Sequence, residues 1–148
     1  MKRILLRYGM VLFLLGLITG FLVPALRNPR MGVSSHMEGV LNGMFLVVLG
    51  LAWEELRLPE RGRRLASALL VGGAYTNWAT TLLAAALGTS RLTPIAGAGF
   101  AGSAAAEAVV SALLVVLAVA MVVGVSLLIA GFRGQAETAS ALKPRLGE

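Results

Sequence analysis

Three polar side chains stand at the head of the second apolar run of this chain, RNPRMGVSSHMEGVLNGMFLVVLG: His36, Glu38 and Asn42. His36 is the one histidine of the sequence. An imidazole can ligate a metal or relay a proton near neutral pH, a carboxylate can act as a base, and an amide can orient a polar group. An ionisable side chain in an apolar span is costly unless it faces a partner or a cavity, so such a cluster marks a functional site by default. On a helix, His36, Gly39 and Gly43 fall along one stripe, which leaves two readings open. Small residues let membrane helices approach closely. A flat glycine face below a histidine also suits a planar macrocycle such as haem, whose iron takes an axial imidazole. Glu38 and Asn42 are four residues apart and share a face, expected to lie beside the histidine stripe. Glu38 is then the group that orients the imidazole, and Asn42 the substrate contact.

A second set of candidates lies further along. The run AYTNWATT places Tyr75, Asn77, Trp78, Thr80 and Thr81 in one polar band. Asn77 is the most informative, because an amide deep in an apolar segment must find a partner. Trp78 is either a packing anchor or a wall of a substrate pocket. A Gly-rich loop over 88–102 is suited to cap a site. Beyond it Glu107 opens the last apolar segment, with Arg91 or His36 as its expected partner.

These residues must be positioned by membrane helices. Of the 148 residues, 57% are hydrophobic and 14% charged, with a mean hydropathy of +0.84. A soluble domain of this length needs more polar surface than that. Four apolar stretches, near 8–26, 36–56, 65–87 and 104–132, each approach the roughly 20 residues that cross a hydrocarbon core. Helix formers with scattered Gly fill them, and none shows the alternation of a barrel strand. The expectation is an all-α integral membrane protein: a four-transmembrane-helix bundle over 1–133, homo-oligomeric, with a flexible polar tail over 134–148.

Charge sets the orientation. Ten of the 13 Lys and Arg lie before the first stretch, between the second and third, or after the fourth. Short-loop basic residues mark the cytoplasmic side, which puts both termini in the cytoplasm of a bacterial inner membrane. The net charge of +6 then needs no nucleic acid partner, and lipid is the expected surroundings. Cysteine is absent, which excludes disulfides and thiolate-ligated metals. No GxSxG, HExxH or Walker motif appears. Three classes remain: a small membrane enzyme, a non-catalytic membrane haem carrier, or a channel.

The run NPRMGVSSHMEGVLNG, the downstream NWA and the segment TPIAGAGFAGSAAAEA resemble the hydroxylaminobenzene mutase family over nearly the whole chain, to about Arg133. More distantly, HMEGVLNGM is similar to styrene oxide isomerase. For the epoxide isomerase branch the resemblance implies a homotrimer holding haem b, with His36 as iron ligand; the glycine stripe would then set Gly39 and Gly43 beside the cofactor. The resemblance implies an isomerase that converts an arylhydroxylamine to a 2-aminophenol, the haem iron acting as Lewis acid. Asn42 and Asn77 would orient this small aromatic substrate, Tyr75 and Trp78 would line its pocket, and Glu38 or Glu107 would carry the ring proton. The alternative is a haem-dependent epoxide isomerase. That branch has a tyrosine about two turns beyond its equivalent of Trp78, where this chain has Leu82, Leu83 and Ala84.

Overall fold

The computed structural model describes residues 1–133, so the expected tail over 134–148 lies outside the described residues. Every regular element among the described residues is helical. Helix α1 spans Lys2–Leu22. It starts six residues ahead of the expected boundary, because Lys and Arg are good helix formers and a helix need not stop where the hydrocarbon does. A 3₁₀ turn, Val23–Ala25, follows at Pro24.

Helix α2, Pro29–Ala52, begins seven residues before its expected start. The Asn28 side chain caps it by accepting from the Met31 N–H at 3.2 Å, and Pro29 takes the first position, where no N–H is needed. His36 therefore sits two turns inside α2 and not at its mouth. Helix α3, Glu60–Leu87, follows Pro59 and stops at Gly88, whose φ of 71° a side chain would disfavour. A short helix α4, Pro94–Gly97, lies within the Gly-rich loop over 88–102. Helix α5, Ala104–Phe132, occupies the expected range, with Ser103 accepting from the Ala106 N–H at 3.2 Å.

Helix α2 packs between α1 and α3, and α3 carries α5. The α1–α2 seam is backbone against backbone. A Cβ on Gly39 would fall 2.5 Å from Gly16 Cα, and one on Gly43 would fall 2.5 Å from Phe13 N. Below that crossing Leu5, Leu12, Leu46, Trp53, Leu70 and Leu128 form the larger apolar cluster. At the other end Met31, Ala84, Ala85 and Val110 form a smaller one. Outward faces are apolar too: Phe21 is 87% exposed and Val122 67%. Contiguous exposed apolar surface of this kind needs a non-aqueous neighbour. Lys2–Ala25, Pro29–Glu55 and Ala104–Phe132 are each long and apolar enough to cross a membrane. Helix α3, which carries the polar band, is not one of these three.

Candidate functional site

The packing of α2 on α3 brings Glu38, Asn42 and Asn77 together. Glu38 Oε2 accepts from Asn42 Nδ2 at 3.0 Å and from Asn77 Nδ2 at 2.6 Å. All three residues are half-buried. Asn42 reaches the carboxylate because it lies one turn along the same helix face; Asn77 reaches it across the helix interface, which supplies the partner its position demanded. A carboxylate only accepts, so both amides turn their nitrogens inward. Asn42 Oδ1, Asn77 Oδ1 and Glu38 Oε1 have no partner among the described residues. The cluster thus offers three open acceptor oxygens, and each amide nitrogen, having spent one N–H on Glu38, keeps its second.

Trp78 is fixed behind this cluster. Its Nε1–H donates to Thr19 Oγ1 at 3.0 Å, and Thr19 in turn donates to Leu15 O at 2.8 Å. The Trp78 carbonyl accepts from Ser35 Oγ at 3.1 Å and from Thr81 Oγ1 at 3.0 Å. The indole edge lies against Gly39, where an added Cβ would meet Trp78 Cδ1 at 2.9 Å. Thr19 and Ser35 were not singled out from the sequence. The available signal was a hydroxyl buried in an apolar helix, where it needs a partner as an amide does.

His36 stands elsewhere. At ~100° per residue, two positions separate it from Glu38 by about 200° around α2. Its ring lies against Gly20 of α1, and Nδ1 is 2.8 Å from Gly16 O. A carbonyl accepts, so Nδ1 carries the proton and the Nε2 lone pair is left open. Nε2 has no hydrogen-bond partner among the described residues. Glu38 and Asn42 therefore do not adjoin the histidine stripe, and the imidazole is oriented by a backbone carbonyl and not by Glu38. The glycine face below His36 is occupied as well: Gly39 and Gly43 meet the α1 backbone at Gly16 and Phe13.

Two further candidates are held apart from the cluster. Tyr75 donates to Tyr8 O at 2.9 Å, its ring edge-on to Tyr8 with centroids 5.9 Å apart. Buried Glu107 accepts from the backbone N–H of Ser90 at 2.9 Å, Arg91 at 3.0 Å and Gly102 at 3.2 Å. It meets the Arg91 main chain and not its guanidinium, and it fastens the loop before α5. Arg27 and Asn28 close the same loop from the α1–α2 side, donating to Leu87 O and Ala96 O, each at 2.9 Å.

Among the described residues no three His, Cys or carboxylate side chains gather as a metal site. A cofactor that brings its own equatorial ligands and asks for one axial donor fits His36. The Nδ1–H to carbonyl bond is the usual support of a metal-ligating imidazole, fixing its tautomer and raising its basicity.

A family model described as styrene oxide isomerase matches residues 1–133. Hydroxylaminobenzene mutase HabB of Ectopseudomonas oleovorans is 48% identical over 134 residues, covering 90% of this chain and 82% of that protein. Hydroxylaminobenzene mutase HabA of the same organism is 42% identical over 132 residues, 88% of this chain and 98% of that protein. No solved structure matches the chain.

Proposed function

The chain belongs to the styrene oxide isomerase family and is an isomerase; from that premise we propose that it moves the hydroxyl of an arylhydroxylamine, such as hydroxylaminobenzene, from nitrogen to the ortho ring carbon. The product is a 2-aminophenol. The observation that carries this reading over epoxide isomerisation is the Glu38–Asn42–Asn77 cluster with its three open acceptor oxygens. An arylhydroxylamine presents N–H and O–H donors that match it, whereas an epoxide presents only an acceptor oxygen. The Leu82–Leu83–Ala84 run, without a phenol, points the same way.

Substrate and product have the same formula, so no oxidant, reductant or cosubstrate enters. The N–O bond breaks, a ring C–O bond forms, the ortho carbon loses a proton and nitrogen gains one. Asn42 Oδ1 and Asn77 Oδ1 hold the N–H and O–H, and Glu38 Oε1 carries the proton from ring carbon to nitrogen. Trp78 and the surrounding aliphatic side chains hold the aryl ring and keep water from the electron-poor carbon. His36 Nε2 is the residue that would hold haem, as haem b, and when bound that group supplies a Lewis acid for the N–O oxygen.

His36 and the amide cluster flank α2 on opposite sides, with Val33, Met37, Leu41 and Met44 exposed between them. One protomer alone cannot turn both toward one substrate. The reading therefore places that apolar stripe at the contact of a homotrimer, where His36 of one copy faces the cluster of the next. The four long helices all span the inner membrane, α3 shielding its polar band between α2 and α5, with both termini cytoplasmic by the basic-residue rule. An apolar aromatic substrate enters from the lipid.

The test is direct. Detergent-purified protein should convert hydroxylaminobenzene to 2-aminophenol and leave styrene oxide unchanged. Formation of phenylacetaldehyde from styrene oxide as the faster reaction would overturn the assignment. A Soret band lost in His36→Ala is the separate readout for the cofactor, and its absence from active protein would remove haem from the scheme.

A further inference from the structure

The outer face of α1 carries a groove that begins at a cation. Arg7, Met10, Val11, Phe13, Leu14 and Leu17 line about 480 Å³ of it. Arg7 and Val11 also wall a second hollow of about 420 Å³ on the side toward Tyr8. Arg7 is exposed and has no ion-pair partner among the described residues. Lys2 pairs with Glu54 at 3.4 Å, Arg64 with Glu60 at 2.9 Å, and Arg63 lies over the Trp53 ring; Arg3, one turn before Arg7, is exposed like it but does not line the groove.

The groove has the length and polarity of one lipid. From Arg7 to Leu17 the helix rises about 15 Å at ~1.5 Å per residue, half of a hydrocarbon core roughly 30 Å thick. A guanidinium grips phosphate through two parallel N–H bonds, and a tyrosine beside it sits comfortably at headgroup level. Beyond Arg7 the groove offers an acyl chain only apolar side chains. We propose that this groove binds an anionic phospholipid of the leaflet on the basic side of the protein, its phosphate on Arg7 and one acyl chain running down to Leu17.

Native mass spectrometry of the full chain in detergent tests this, with phosphatidylglycerol and phosphatidylcholine of identical acyl chains as probes. Phosphatidylglycerol should bind the more tightly. Arg7→Gln should weaken it about fivefold, the effect of one basic residue near an anionic lipid surface. Phosphatidylcholine affinity should be unchanged, and Arg7→Lys should keep the preference. Arg61→Gln, on the same side but away from the groove, should leave phosphatidylglycerol binding as it was, and inorganic phosphate should not displace the lipid. Equal affinity for the two lipids, an equal loss in Arg61→Gln, or displacement by phosphate alone would each overturn the site. Lipid binding that appears only after the oligomer dissociates would also overturn it, assigning the groove to a contact between copies.

Discussion

Replacing Glu38 by Gln changes one atom and the charge, and its consequences follow from which way three groups point. In the native site one carboxylate oxygen takes two amide N–H groups, at 3.0 and 2.6 Å. A Gln that turns its oxygen to them keeps both bonds in weakened, neutral form. A Gln that turns its nitrogen to them sets donor against donor, so Asn42 and Asn77 must rotate and present N–H groups outward. Either way the loss of charge-assisted bonding costs about 1–2 kcal/mol of folding free energy, which a membrane helix pair tolerates. The chemical loss is larger, because an amide cannot carry the ring proton. A positioned acid–base group contributes typically 10²–10⁴-fold, so turnover of hydroxylaminobenzene should fall by about that factor. His36 lies on the other flank of α2, so the absorbance of a haem held there should not change. Rotated amides turn both N–H groups outward in place of their oxygens, so the ratio of hydroxylamine to epoxide binding should shift toward the epoxide. Initial rates, Soret absorbance and competition by styrene oxide can be read on one preparation. Turnover within twofold of the native protein would refute the role given to Glu38.

Other substitutions separate architecture from chemistry. Gly39→Leu forces a side chain into the α1–α2 seam and should cost about 1–3 kcal/mol or more, seen as a lowered unfolding midpoint in detergent; a midpoint equal to the native one would remove the glycine crossing from the fold's support. Thr19→Val leaves the Trp78 indole N–H without its acceptor, a loss of about 1–3 kcal/mol that should appear as altered tryptophan fluorescence together with a raised KM. Glu107→Gln should lower the thermal midpoint by a few degrees yet leave turnover per folded molecule intact; a selective fall in kcat would return Glu107 to the reaction.

How much of this was legible depended on the range of the interaction. Composition and apolar run length were enough for helices, and the long apolar run over 104–132 placed α5 at its observed bounds. The start of α2 was written in Asn28-Pro29, a cap followed by a first-turn proline, but the apolar run drew attention to residue 36 instead. That shift made His36 look like a helix-mouth residue. Asn77 was identifiable as an amide in need of a partner, yet its pairing with Glu38 depends on the register of α2 against α3, which no local pattern encodes. The two-residue step from His36 to Glu38 did carry the information that they face opposite ways. Gly39 and Gly43 illustrate the remaining ambiguity: a small-residue stripe fits a flat cofactor or a neighbouring backbone equally well, and only the position of Gly16 and Phe13 decides between them. Glu107 was read for a side-chain partner, while its partners are main-chain N–H groups that every sequence contains.

Intramolecular transfer inside a site that excludes water is most directly tested by the fate of one oxygen atom. Hydroxylaminobenzene carrying oxygen-18 on nitrogen, turned over in ordinary water, should yield 2-aminophenol with the label retained in its ring hydroxyl. Product carrying solvent oxygen would mean that water attacks the ring, and the Glu38–Asn42–Asn77 site would not be performing an isomerisation.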